Sequence, residues 1–220
     1  MERAAVLRDR VNGHPENVDA VLPELVQMLH AESDASALAA IIEAVGSAWD
    51  ERGVAAVLAF ADHPAEGVRL AVAQAIPGGA DSEETVGAAI QILIVLMEDA
   101  VADIRDYATF GLGSMLREQD SPAIRDALRR RLTDSHRDTR HEALVGLAQR
   151  HDPSVLPYVR SALREDSVSR LGVAAAGALA DRRLLGDLLR IRPWWDVDVD
   201  LLERAIAACE AQDPGDIPWP

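Results

Sequence analysis

The sequence contains no lysine: all 22 of its basic residues are arginine. That removes both the amine of a Schiff-base enzyme and the phosphate-binding lysine of a P-loop. Cys209 is the only cysteine, which excludes an intrachain disulfide and any zinc site built from several thiolates. Aromatic residues make up 4% of the chain, too few for a β-rich fold. Long apolar runs are missing as well. The longest, Ala88–Met97, is broken by Gln91 and falls far short of a bilayer span, so no membrane association is expected. Met1–Val11 carries Glu2, Arg3, Arg8, Asp9 and Arg10 without an apolar core, so no secretory signal and a cytoplasmic location are expected. Positive charge is in deficit, 22 basic against 37 acidic residues, a net −15. Such a chain repels a polyanion unless it segregates a basic stripe, which argues against nucleic acid and for a basic protein partner.

What the chain has is helix-forming apolar sequence, 49% hydrophobic and dominated by Ala, Leu and Val. Amphipathic stripes separated by turn signals divide it into a capping helix over 1–12 and six helical hairpins. Their expected limits are 18–49, 51–76, 82–117, 121–150, 152–180 and 182–211, with 212–220 an extended tail. The stripe of the first hairpin's second helix takes in Leu38, Ile41, Ile42, Val45 and Trp49. Pro23 is expected to end or kink the first turn of its helix, and Pro77-Gly78-Gly79 to end the second hairpin. The helix reaching Glu98 is apolar nearly all round, which places it inside the stack. No Gly/Ser linker or charge block interrupts the chain, so a single domain over 1–220 is expected. Its oligomeric state is not legible.

One pattern is written twice. Asp99, Ile104-Arg105, Ala108 and Gly111-Leu112 return 35 residues later as Asp134, Thr139-Arg140, Ala143 and Gly146-Leu147. Asp62 and Arg69 extend the columns upstream; in the fifth repeat Asp166 remains and Gly172 replaces the arginine. The pattern resembles HEAT repeats of the variety labelled PBS lyase HEAT-like. The resemblance implies an all-α fold, an α-α superhelix or solenoid of about six helical hairpins, covering roughly 18–211. It also implies a structural ladder in which Asp62, Asp99 and Asp134 in the turns work with Arg69, Arg105 and Arg140 in the second helices. Small residues at Ala108, Gly111, Ala143 and Gly146 let second helices approach closely.

In such stacks the second helices line the concave face. Residues just after the arginine column then become candidates for binding: Asp106, Tyr107, Phe110, His141 and Glu142. Aromatic rings beside carboxylates suit a cationic protein segment. The alternative is that Tyr107 and Phe110 belong to the core and the charges to an ordinary solvated face. The six histidines form no His-x-x-x-His or Glu-x-x-His pair with a third ligand near in sequence, so no metal and no cofactor are expected. Arg125, Arg129, Arg130 and Arg131 read as a solvated turn complementing a helix C-terminus. Trp194-Trp195 reads as a cap on the last hairpin or an anchor for a partner, with Trp219 a further cap. The reading is therefore a non-enzymatic protein-binding scaffold or adaptor. The alternative is an enzyme resembling the alkylpurine DNA glycosylases or phycobilin lyases, with Asp106, Tyr107 and Arg140 in the imagined roles. Net charge and a missing groove tryptophan pair count against the glycosylase comparison.

Overall fold

Several helices begin where a short polar side chain can accept from N–H groups that the first turn leaves free. In the computed structural model, which describes residues 2–211, Asp34 accepts from Ala37 N–H at 2.9 Å and opens Ala35–Gly46. Ser82, Ser121 and Ser169 do the same for Glu83–Leu96, Pro122–Arg131 and Arg170–Leu179. Asp50 opens Glu51–Val57 through Arg52 N–H. Asp152 and Asp181 cap short 3-10 turns that lead into Leu156–Ala162 and Leu185–Ile191.

In chain order the helices are α1 (Glu2–Val11), α2 (Val18–Ala31), α3 (Ala35–Gly46), α4 (Glu51–Val57), α5 (Glu66–Gly79), α6 (Glu83–Leu96) and α7 (Ala102–Phe110). There follow α8 (Pro122–Arg131), α9 (Arg137–Gln149), α10 (Leu156–Ala162), α11 (Arg170–Leu179), α12 (Leu185–Ile191) and α13 (Val199–Ala211). The fold is all-α, built from successive helical hairpins, with no strand among the described residues. The expected tail at 212–220, with Trp219, lies outside those residues.

Packing falls into two compact units, Met1–Leu116 and Arg117–Pro220. In the first, α1, α3, α5 and α7 stack side by side, backed by α2, α4 and α6. Leu22, Leu25, Ile42, Ile76, Leu93 and Ile104 fill the space between the layers. In the second, α9, α11 and α13 stack in the same way over α8, α10 and α12, around Ile124, Leu128, Val159, Val173 and Leu188. A lone hairpin leaves its apolar side uncovered, so each one needs a neighbour.

Several expectations change. Helix α2 runs through Pro23. Helix α5 takes in Pro77, Gly78 and Gly79 instead of stopping before them, because proline in a last turn forfeits only one helical bond. Helix α6 is not enclosed: Ala89, Leu93 and Leu96 are buried while Val95 is exposed. Trp49 leaves the apolar stripe altogether, since α3 ends at Gly46 and the helical spacing no longer applies beyond it.

Glycines mark the closest approaches of second helices. A Cβ on Gly111 would lie 2.5 Å from Pro77 Cγ, and one on Gly46 would lie 2.7 Å from Ala75 Cβ. After Gly111 the chain makes a π turn, with Leu116 N–H donating to Gly111 O at 3.0 Å. Gly87, inside α6, has nothing within 4 Å of a built Cβ. Gly111→Leu should therefore lower stability by about 1–3 kcal/mol or more through overpacking. Gly87→Ala should raise it by about 0.5–1 kcal/mol by removing a flexible residue from a helix interior. Thermal unfolding of both variants checks the assignment, and opposite signs are expected.

Candidate functional site

The arginine column has one geometry in three repeats. Arg69 Nη1 donates to His63 O and Pro64 O at 2.9 and 3.1 Å, closing the turn that precedes its own helix. Arg105 Nη1 does so with Asp99 O and Ala100 O, and Arg140 Nη1 with Asp134 O and Ser135 O. These carbonyls sit in turns that lack their own helical partners, so the guanidinium fork supplies them. The rest of Arg69 reaches the next repeat: Nε and Nη2 donate to Asp99 Oδ2 and Oδ1 at 2.6 and 3.1 Å. Asp99 also accepts from Val101 N–H at 2.9 Å, as Asp134 does from His136 N–H. The Arg69 guanidinium holds the Asp99 carboxyl below its ordinary range, against the opposing effect of burial. Asp62 lies exposed beside a cavity that Arg69 and Asp99 also line.

Of the five residues proposed from sequence to bind a partner, Asp106, Tyr107 and Phe110 lie on α7 of the first unit. His141 and Glu142 lie on α9 of the second. Tyr107 and Phe110 are 42% and 39% exposed, so these rings are not core. They are one helical turn apart and share a face. Asp106 and Glu142 are half-buried.

His141 is a correction, for it is only 2% exposed. Its Nδ1 lies 3.0 Å from Ser169 Oγ, and its Nε2 3.6 Å from Glu165 Oε1. The side chain thus fills the seam between α9 and α11. Burial depresses the imidazole's pKa, and the Glu165 carboxylate opposes that only in part. Arg137 holds Glu165 in turn, at 2.7 Å. The alternate faces of a helix explain the difference: residues adjacent in sequence diverge by about 100° around its axis.

The arginine run on α8 is also corrected. Arg125 and Arg129 do not simply face solvent, since both reach Asp152, at 3.4 and 2.5 Å. Asp152 is buried and caps the turn at Pro153 while accepting from Ser154 N–H and Oγ. Burial raises its pKa, but the Ser154 bonds and Arg129 outweigh that, and the carboxylate stays charged. One repeat further on, Asp187 accepts from Arg164 at 2.8 Å. These partners stand 23–27 residues apart, beyond the reach of local sequence patterns.

The tryptophan pair divides its roles. Trp195 is buried and donates Nε1–H to Val168 O at 2.9 Å, while Trp194 is exposed. Trp49, the residue sequence reasoning misplaced, stands exposed between two cavities of the first unit. Its position after a helix end, just before the Asp50 cap, is the signal that could have found it. Cys209 is buried, which pushes its thiol up to about 11 and leaves it unreactive. Among the described residues no group of three His, Cys, Asp or Glu side chains is placed to hold a metal ion. No helix among them is long and apolar enough to cross a membrane.

Comparison with known proteins agrees with this geometry. Residues 90–180 match the family model described as HEAT repeats. Protein YibA of Escherichia coli is 35% identical over 98 residues, 44% of this chain and 34% of that protein. The match thus spans about a third of that relative's length. The X-ray structure of YibA superposes with a TM-score of 0.70 at 27% identity, over 90% of this chain and 70% of that one. The complex of CpcE and CpcF of phycocyanin lyase from Nostoc sp. PCC7120 gives a TM-score of 0.59 at 13% identity, over 94% and 80%. A designed armadillo repeat protein in complex with the peptide (KR)4 gives 0.55 at 14%, over 94% and 90%. At those identities the last two show the fold alone.

The Arg69–Asp99 pair can be tested by pH. Asp99→Asn should cost about 1–3 kcal/mol at neutral pH, because Arg69 loses its charged acceptor. The depressed Asp99 pKa contributes stability above the unfolded-state value near ~4 and loses it as pH falls through the folded value. The gap between wild type and variant should therefore narrow below about pH 4, as followed by urea unfolding across pH.

Proposed function

Because residues 90–180 match HEAT repeats and the helices stack as successive hairpins, we propose that the chain binds a basic segment of a partner protein on the second-helix surface of its first unit and catalyses no reaction. The observation that carries the reading is the exposed pair Tyr107 and Phe110 on α7, with Asp106 beside them in a chain of net charge −15. Rings that folding leaves uncovered are contact area for a partner, and surplus carboxylate steers a cationic one toward it. Within the second unit, taken by itself, Glu142 on α9 is half-buried. His141 belongs to the packing beneath and makes no direct contact. Stacked repeats characteristically present this surface to extended ligands. The armadillo likeness supports the reading as a related architecture that takes a peptide of alternating lysine and arginine. The phycocyanin lyase likeness is one of fold and assigns chemistry to no side chain here.

The test is fluorescence anisotropy of the full chain with a labelled peptide of alternating lysine and arginine. Binding should weaken with salt, as expected for exposed charges. The Tyr107→Ala/Phe110→Ala double variant should bind about tenfold more weakly or worse. Binding no tighter than that of a neutral Gly/Ser peptide would sink the reading. Preference for a DNA duplex over the peptide would bring the glycosylase alternative forward.

A further inference from the structure

The junction after α3 carries a side chain that its backbone does not require. Beyond Gly46 the chain turns through Ser47 and Ala48, and Trp49 adopts φ +51 before Asp50 caps α4. A left-handed residue followed by a capping aspartate recurs at His151-Asp152 and Ala180-Asp181. Glycine meets no steric penalty at such a position, and a bulky side chain meets the most. Ala180 demonstrates that the junction forms without an aromatic ring. Trp49 nonetheless occupies it, with 64% of its surface exposed.

The ring is held in place. A Cβ built on Gly78 would meet indole atoms Cε3, Cδ2 and Cζ3 at 3.2, 3.3 and 3.3 Å, so one face of the indole lies flat over that glycine. A Cβ on Gly79 would strike Asp50 N and O at 2.9 and 3.0 Å, so the adjoining backbone is seated as closely. These contacts explain the two glycines that close α5. The other indole face is open, and the ring forms a shared wall between two cavities. One, of about 340 Å³, is lined by Arg8, Glu43 and Gln74; the other, of about 480 Å³, by Glu51, Arg52 and Asp81.

Charge in the second cavity is one-sided. Arg52 is held by Asp50 through Nε and Nη2, both at 2.8 Å, and by Asp19 at 2.8 Å. Glu51 accepts from Ser82 N–H and the Thr85 hydroxyl. Among the described residues no cation pairs with Glu51 or Asp81. An open aromatic face and two uncompensated carboxylates thus border one cavity. We propose that it receives an arginine side chain of a partner protein, the guanidinium stacking on Trp49 and bonding to Glu51 and Asp81. Arginine fits better than lysine because its planar, weakly hydrated cation can stack and bond in the same pose. The proposal rests on the reading of a basic partner and adds a contact at a different junction from Tyr107 and Phe110.

The experiment is anisotropy of the full chain with a labelled peptide alternating arginine and glycine, beside its lysine counterpart. Wild type should prefer the arginine peptide. Trp49→Gly should weaken that binding by roughly five- to thirtyfold. Its Tm should be unchanged or higher, since glycine relieves the left-handed backbone. Asp81→Asn, a surface change, should also weaken binding, and Trp194→Ala should not. Wild-type affinity in folded Trp49→Gly, or equal affinity for the two peptides, overturns the site. If Trp49→Gly binds normally while Tyr107→Ala/Phe110→Ala does not, the site fails and the broader reading stands. If wild type binds neither peptide, the basic-partner reading fails and the site falls with it.

Discussion

A guanidinium carries five N–H donors in a fixed plane, and the arrangement of the repeats depends on how those donors are spent. In each of three repeats one nitrogen satisfies two carbonyls of the turn before the second helix. For Arg69 the others extend to Asp99 in the next hairpin. One side chain therefore fixes the shape of a turn and the spacing to its neighbour together. Apolar burial drives the stacking, but it is non-directional and would tolerate sliding. The arginine supplies register, because paired, planar bonds form at one offset only.

A second set of ion pairs repeats the logic on the first helices and the turns that follow them. Arg125 and Arg129 converge on Asp152, and Arg164 on Asp187. Asp152 caps a turn in its own hairpin while receiving charge from the previous one. Two aspartates, Asp152 and Asp99, thus tie local chain reversal to longer-range packing. Burial alone would disfavour both charges, and the bonds they accept are what keep them ionised.

The sequence exposes those parts of this scheme that repeat at fixed spacing. Arg105 and Arg140 could be read as a column because each stands six residues beyond its aspartate, and the same 35-residue offset marks Gly111 and Ala108 as packing positions. Position on a helix was harder to read than membership of one. His141 follows Arg140 directly, yet the turn of the helix sends it into the seam with Ser169. Trp49 satisfies helical spacing after Leu38, Ile41, Ile42 and Val45, but α3 has already ended and a left-handed residue points the ring outward. Arg125 resembles a surface arginine until a partner 27 residues away enters the account. In each case the missing information was an angle or a distant neighbour, which periodicity does not encode.

The left-handed junctions at Trp49, His151 and Ala180 have a consequence for how such a chain diversifies. The aspartate that follows each one does the capping, and the backbone sets the direction of the side chain before it. The three occupants differ in size and polarity, yet the same junction is built around each. Selection can therefore exchange the group displayed at a hairpin boundary while the register of the stack stays fixed. Each of these three boundaries has one letter to rewrite without disturbing the grammar that holds the others in line.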